Sequence, residues 1–216
     1  MDNLAQNMTQ TIDENSIFTC YRVNGGDGIY INNINPNGTN KIYNFEYYLP
    51  QMPQEIQKKI NSYNELFQNL KPKYEAIMLK MKDELDTIQE LKTRVAKEVN
   101  SKDWTKYGLI KLQSFKKSFE SKNQALCASG YNRPSDIHYN MYKENLKDLD
   151  DVTYELNIRQ SEIDTENEKY ERLDSDRKSL QEKLDMDNFF TVEEWKAIDN
   201  YVVEETYTND NFILTD

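Results

Sequence analysis

From Ile56 onward, apolar residues recur in steps of four and three: Ile56, Ile60, Tyr63, Phe67, Leu70, Tyr74, Ile77 and Met81. Side chains three and four apart share one face of an α-helix, so this spacing predicts a helix with a continuous apolar stripe. Leu85 arrives by a second step of four, a stutter, and Ile88, Leu91, Val95 and Val99 carry the stripe on. Polar and charged residues fill most positions between. As one helix, this run of about 45 residues would be roughly 70 Å long. Pro72 interrupts it, removing one backbone donor and crowding the preceding turn, which predicts a kink near residues 69–71.

A second stripe runs from about 135 to 186: Tyr142, Leu149, Val152, Leu156, Ile163, Tyr170, Leu173, Leu180 and Leu184. Arg159, Glu166 and Arg177 take the remaining positions on that face, where charges weaken packing but fix register. Each stripe alone would sit in water, so the two helices are expected to fold back on each other. Between them, Trp104, Tyr107, Leu109, Ile110, Leu112, Phe115 and Phe119 crowd into a short apolar stretch. Ser101 or Asp103 caps its start, Gly130 ends its helix, and Ser135 or Asp136 caps the returning one.

The flanks have a different period. Residues 1–15 are polar and expected to fray. Ile17 to Val23 alternates as a strand, Gly25-Gly26-Asp27-Gly28 turns the chain, and Ile29 to Ile34 reads as a second strand. Asn35-Pro36-Asn37-Gly38 turns it again, and Lys41 to Tyr48 reads as a third strand. Near the other end, Thr191 and Glu194 have the spacing of a capping box, which predicts a short helix to about Glu205 and then an extended tail. The expected fold is mainly α with a small β part: a long antiparallel two-helix coiled-coil hairpin with a helical tip, on a small antiparallel β base. Its segments are 1–15, a base at 16–50, an ascending helix at 51–100, a tip at 101–134, a descending helix at 135–188 and a return at 189–216.

Composition sharpens this picture. Of 216 residues, 37% are apolar and 30% charged, yet there are 15 Tyr and 8 Phe. That is too polar for one thick core and too aromatic for disorder, and a thin two-helix layer fits both. The net charge of -11 disfavours a nucleic-acid partner. No run approaches the length of a membrane span, and the N-terminus lacks the pattern of a signal peptide. The two cysteines, Cys20 and Cys127, read as reduced thiols.

Little in the sequence carries chemistry. His138 is the single histidine, too few for a Cys/His zinc site with Cys20 or Cys127. A Cys127–His138 nucleophile pair lacks an orienting third group, and an ordinary tip histidine is the competing reading. The glycines at 25–28 lack the phosphate-loop pattern and read as a hairpin turn. Asp148, Asp150 and Asp151 lack the spacing of a calcium loop and read as a solvated helix face. No catalytic, cofactor-binding or metal-ligating residue is assigned. Function concentrates, if anywhere, at the tip, where Trp104, Tyr107, Phe115, Phe119 and Tyr131 form either a partner-binding patch or a mini-core that closes the hairpin.

The stretches Gly28-Ile29-Tyr30-Ile31 and Asn35-Pro36-Asn37-Gly38-Thr39-Asn40-Lys41-Ile42-Tyr43-Asn44-Phe45, followed by a long helical pair, resemble tail proteins of phages and prophages of Gram-positive bacteria. The segment Asp103-Trp104-Thr105-Lys106-Tyr107-Gly108-Leu109 and the exit Glu193-Glu194-Trp195 to Phe212 are similar too. These are the tail-associated minor structural proteins, also called prophage endopeptidase tail proteins. The resemblance spans about residues 28–212. It implies a place at the tail tip or baseplate, other tail proteins as partners, a homotrimer in the full-length context, and a virion assembled in the bacterial cytoplasm. The family's peptidase activity is not carried over, because no peptidase motif is present. The chain is expected to be a fragment or remnant of a longer tail protein. The alternative is a free-standing coiled-coil adaptor, and a third reading is a cell-wall peptidase fragment.

The stripe makes one direct prediction. Ile163→Asp should destabilise by on the order of several kcal/mol through a buried unpaired charge, while the adjacent Glu162→Ala should cost little, as thermal unfolding of the two variants would show.

Overall fold

A computed structural model describes residues 17–25, 32, 34–97 and 101–209. Strands β1 (Cys20–Gly25) and β2 (Lys41–Tyr43) precede helix α1 (Gln54–Thr93). Helices α2 (Leu109–Ala128) and α3 (Tyr139–Leu184) follow, then short helices α4 (Met186–Phe189) and α5 (Val192–Asp199), and strand β3 (Glu204–Asn209). The protein is mainly helical with a small sheet, and α1 and α3 pack against each other. The chain divides into two compact units, residues 1–75 with 177–216 and residues 76–176. Each long helix contributes a segment to both.

The first unit holds the sheet, in the order β2-β1-β3. It departs from the antiparallel base expected from the sequence. β1 pairs with β2 antiparallel, but with β3 in parallel, Cys20 opposite Glu204 and Gly25 opposite Asn209. Parallel neighbours need a long crossover, and the entire helical excursion supplies one. The expected strand at 41–48 is correspondingly short: the chain leaves β2 after Tyr43, and Asn44 Oδ1 accepts from Glu46 N in a turn. The expected strand at 29–34 lies largely outside the described residues. Thr19 locks the return, its hydroxyl donating to Tyr201 O at 2.7 Å and accepting from Val203 N at 2.8 Å. The Glu204 carboxylate joins all three strands, meeting Arg22 Nε at 2.6 Å and Lys41 Nζ at 3.1 Å. The Arg22 and Lys41 bonds hold its pKa down at about 2.

The core of this unit is aromatic and aliphatic: Phe45, Met52, Ile56, Ile60, Tyr63, Met186, Phe190 and Ile198 are buried together. The stripe residues Ile56, Ile60 and Tyr63 therefore pack with Met186, Phe190 and Ile198 from the region of α4 and α5. Tyr63 donates its hydroxyl to Leu184 O at 2.7 Å, which satisfies a carbonyl at the end of α3. Burial pushes the Tyr63 hydroxyl well above its ordinary pKa, with Asp185 adding to the shift. Thr191 and Glu194 form the expected capping box on α5. That helix ends at Asp199, short of the expected Glu205, because Thr19 and β1 capture the backbone from Tyr201 onward. Pro72 lies inside α1 without terminating it.

The second unit carries the middle of the seam. Met81, Ile88, Val152 and Ile163 are buried, as the stripes require. Leu85 is not: it is 49% exposed, and Glu84 takes the seam position. A step of three followed by four, 81–84–88, preserves the face that the stutter would have rotated away. Glu84 consequently meets Glu166 of α3. The hydrogen bond to Glu166, then burial, then the Glu166 charge, raise the Glu84 carboxyl above its ordinary value, with Asp83 adding and Lys169 opposing. Lys169 bonds both Glu166 oxygens, at 2.8 and 2.7 Å, and holds Glu166 below its own. The seam charges read from the sequence are in place, with Arg159 4% and Arg177 6% exposed. Glu162 is more than a bare surface carboxylate, since it accepts from Arg159 at 2.5 Å. Its side chain is 45% exposed, which keeps the pair's worth within about 1 kcal/mol and leaves the contrast with Ile163 intact.

The carboxylate pair gives a pH prediction. A carboxyl raised in the folded state binds its proton more tightly there than in the unfolded chain. Its contribution is present at low pH and is lost as pH rises through and above the ordinary glutamate range. Glu84→Gln should therefore raise the melting temperature at about pH 7, with the gain shrinking toward zero near pH 4. Thermal scans across that interval check the sign.

Candidate functional site

Two regions of the chain have the side-chain density of a site, one in each unit. At the tip, Trp104 sits in a single 3-10 turn after Asp103, whose Oδ1 accepts from Thr105 Oγ1 at 2.6 Å. The turn delivers Tyr107 and Gly108 to the start of α2. Trp104, Tyr107, Phe115 and Phe119 converge, with ring centroids 5.3 Å apart for Trp104–Phe115, 5.9 Å for Trp104–Phe119 and 5.0 Å for Tyr107–Phe115. The edge-to-face angles suit aromatic quadrupoles. These rings pack on Leu112 and Val152, with Ala96 and Leu156 at the margin. They form a mini-core that seats α2 against α3.

Tyr131, grouped with them on sequence grounds, lies elsewhere. It follows Gly130 in a Schellman motif, Tyr131 N to Leu126 O and Gly130 N to Cys127 O, both at 3.0 Å, with Gly130 at φ +78°. Its ring stacks on His138 at 4.3 Å, and His138 Nδ1 lies 3.1 Å from Asp136. Burial, and then Cys127 beside it, raise the Tyr142 hydroxyl above its ordinary value, while the His138 ring is engaged by Tyr131 and Asp136. Asp148 holds Lys102 Nζ at 2.7 Å, while Asp150 and Asp151 are exposed. Among the described residues, no group of three His, Cys, Asp or Glu side chains is placed to hold a metal ion. Both cysteines are free, and no described helix is long and apolar enough to cross a membrane.

Sequence reasoning missed what fastens the tip. Arg94, near the end of α1, and Arg159, in the seam of α3, both donate to the Thr105 carbonyl, at 2.9 and 3.0 Å. Gly108 donates to Arg94 O at 2.7 Å. A Cβ on Gly108 would lie 2.7 Å from Arg94 N and from Lys92 O, so the last turn of α1 packs directly on this glycine's backbone. The signal was a glycine inside an aromatic stretch, where no turn required it. Asn145 is a second hidden fastener, 1% exposed, donating to Phe119 O at 3.0 Å.

The second region is a pocket of about 410 Å³ in the sheet-containing unit, between β2, the start of α1 and α4. Phe45, Tyr63 and Phe190 form its buried floor, while Tyr43 and Phe67 keep part of their surface open. Asn35, Asn37, Asn44, Asn64 and Gln68 supply amides around it. Asn37 is committed internally, accepting from Thr39 and donating to Lys41 O at 3.1 Å. Asn64 and Gln68 are exposed on α1 and line a shallow neighbouring depression with Asn61, Glu65 and Asn69.

Comparison with protein-family models, with curated proteins and with solved structures finds no match for this chain.

The close approach at the tip is the sharpest point to perturb. Gly108→Ala should destabilise by about 2–3 kcal/mol, because the neighbouring atoms are backbone and cannot rotate aside. Chemical denaturation monitored by Trp fluorescence measures the loss.

Proposed function

We propose that this chain is a non-catalytic structural component of a phage tail tip or baseplate, with the helical hairpin as its spacer or interaction arm. The observation that supports this reading is the parallel pairing of β1 with β3. The helical segment leaves the sheet after β2 and rejoins it at β3, on the other side of β1, as a long insertion between strands of one sheet. The tail-protein resemblance of residues 28–45, 103–109 and 193–212 supplies the context. The side chains with the strongest constraints serve packing: Tyr63, Arg159, Gly108 and Asn145 fasten helices to each other or to the tip. Partners on this reading are other tail or baseplate proteins, with a homotrimer forming in the full-length context.

One feature favours the second reading, a coiled-coil adaptor. Ile137 is 88% exposed beside the Tyr131–His138 stack, an apolar side chain offered to a partner at the loop between α2 and α3.

Purified phage particles from the encoding strain separate the two. Mass spectrometry should find peptides of this chain at constant ratio to capsid and tail-tube proteins, and antibody labelling should mark the tail end. Intact particles that lack the chain, with the chain present in the same lysate, would contradict the proposal and leave the adaptor.

A further inference from the structure

We infer that the pocket beside β2 and α1 binds a neutral oligosaccharide. The inference is independent of the tail assignment. The cavity of about 410 Å³ is large enough for one or two sugar rings and falls within the range of small-molecule sites. The chemistry of its lining selects the ligand. No Lys or Arg lines it among the described residues, so nothing compensates an anion's lost hydration. An apolar ligand fits no better, because covering the Asn64 and Gln68 amides without replacing their bonds to water is costly. Each amide offers two donors and an acceptor without net charge, which matches a hydroxyl that both gives and takes a hydrogen bond.

The side-chain amides of Asn64 and Gln68 make no hydrogen bond to the protein among the described residues, and both residues are exposed, so these amides are open to a ligand. The Glu46 carboxylate, also exposed in the lining, adds an acceptor for a sugar hydroxyl. Tyr43 and Phe67 provide the second half of sugar recognition. The negative face of an aromatic ring attracts the slightly positive C–H groups on the apolar side of a pyranose. Tyr43 is held in position by Phe45, stacked at 5.7 Å and 21°, and by Trp195 at 5.8 Å, and keeps part of its surface open to the pocket. On α1 the amides continue past the pocket at Asn61 and Asn69, along the adjoining depression, which favours a chain of sugars over a single ring.

The test uses the full chain, fluorescently labelled, on a printed array of neutral and anionic oligosaccharides, followed by calorimetric titration of the best neutral ligand. Binding to one or more neutral glycans is expected. The double variant Asn64→Ala with Gln68→Ala should weaken it by at least about tenfold, from the loss of two amide hydrogen-bonding groups. Both positions are exposed on a helix that tolerates alanine, so far-UV circular dichroism should be unchanged. Asn167→Ala, an exposed amide on α3 outside the pocket, should bind as the parent does. The inference is overturned if no neutral glycan binds at concentrations up to about 1 mM. Preferential binding of anionic glycans, or unchanged affinity in the double variant, overturns it equally.

Discussion

Neither long helix can keep its apolar stripe in water, and the burial of one stripe by the other is the interaction on which the rest of the structure depends. The charged majority of α1 and α3 contributes little cohesion by itself, since exposed ion pairs such as Lys71–Glu75 and Arg172–Glu168 are weak. What holds is the narrow line of Tyr74, Met81 and Ile88 on one helix and Val152, Ile163 and Leu184 on the other, each nearly inaccessible to solvent. The sheet is too small to stand alone, with β2 only three residues long. It is closed by β3, which the chain reaches only after completing both helices.

Polar groups in the seam add specificity to that cohesion. Arg159 is buried yet reaches Glu155, Glu162 and the Thr105 carbonyl, so α3 reads the position of the tip turn directly. Gln181 plays a comparable part in the other unit, accepting from Arg177 at 2.7 Å and donating to the Tyr74 hydroxyl at 3.0 Å and to Asn32 O at 2.9 Å. A slip of either helix by one residue would strand these groups without partners, at a cost that apolar packing alone would not impose.

The hairpin was legible in the sequence because a period near 3.5 sustained over many turns suits paired helices and little else, and even the seam charges could be placed from it. Local signals with a mechanism were legible too: Thr191 with Glu194 at one helix start, and Gly130 beyond another helix end. The sheet was harder. Pairing between Cys20 and Glu204 joins residues far apart in sequence, and nothing local distinguishes a parallel from an antiparallel neighbour. The stutter misled for a related reason, since apolar character favoured Leu85 while helix geometry favoured Glu84. At the tip, residue type identified four rings of the mini-core but could not exclude Tyr131. Gly108 and Asn145 were invisible because their roles are contacts with distant backbone. The pocket went unread because amides on a wet helix face resemble ordinary surface until a distant aromatic floor is placed beside them.

Native-state hydrogen exchange of the full chain tests the mutual dependence of the two stripes most directly. In the unit spanning residues 76–176, amides at Met81 and Ile88 of α1 and at Val152 and Ile163 of α3 should share one slow, common opening free energy, because neither helix segment persists without the other. Rapid exchange through α1 while α3 stays protected would show that the segments stand independently, and would contradict the account.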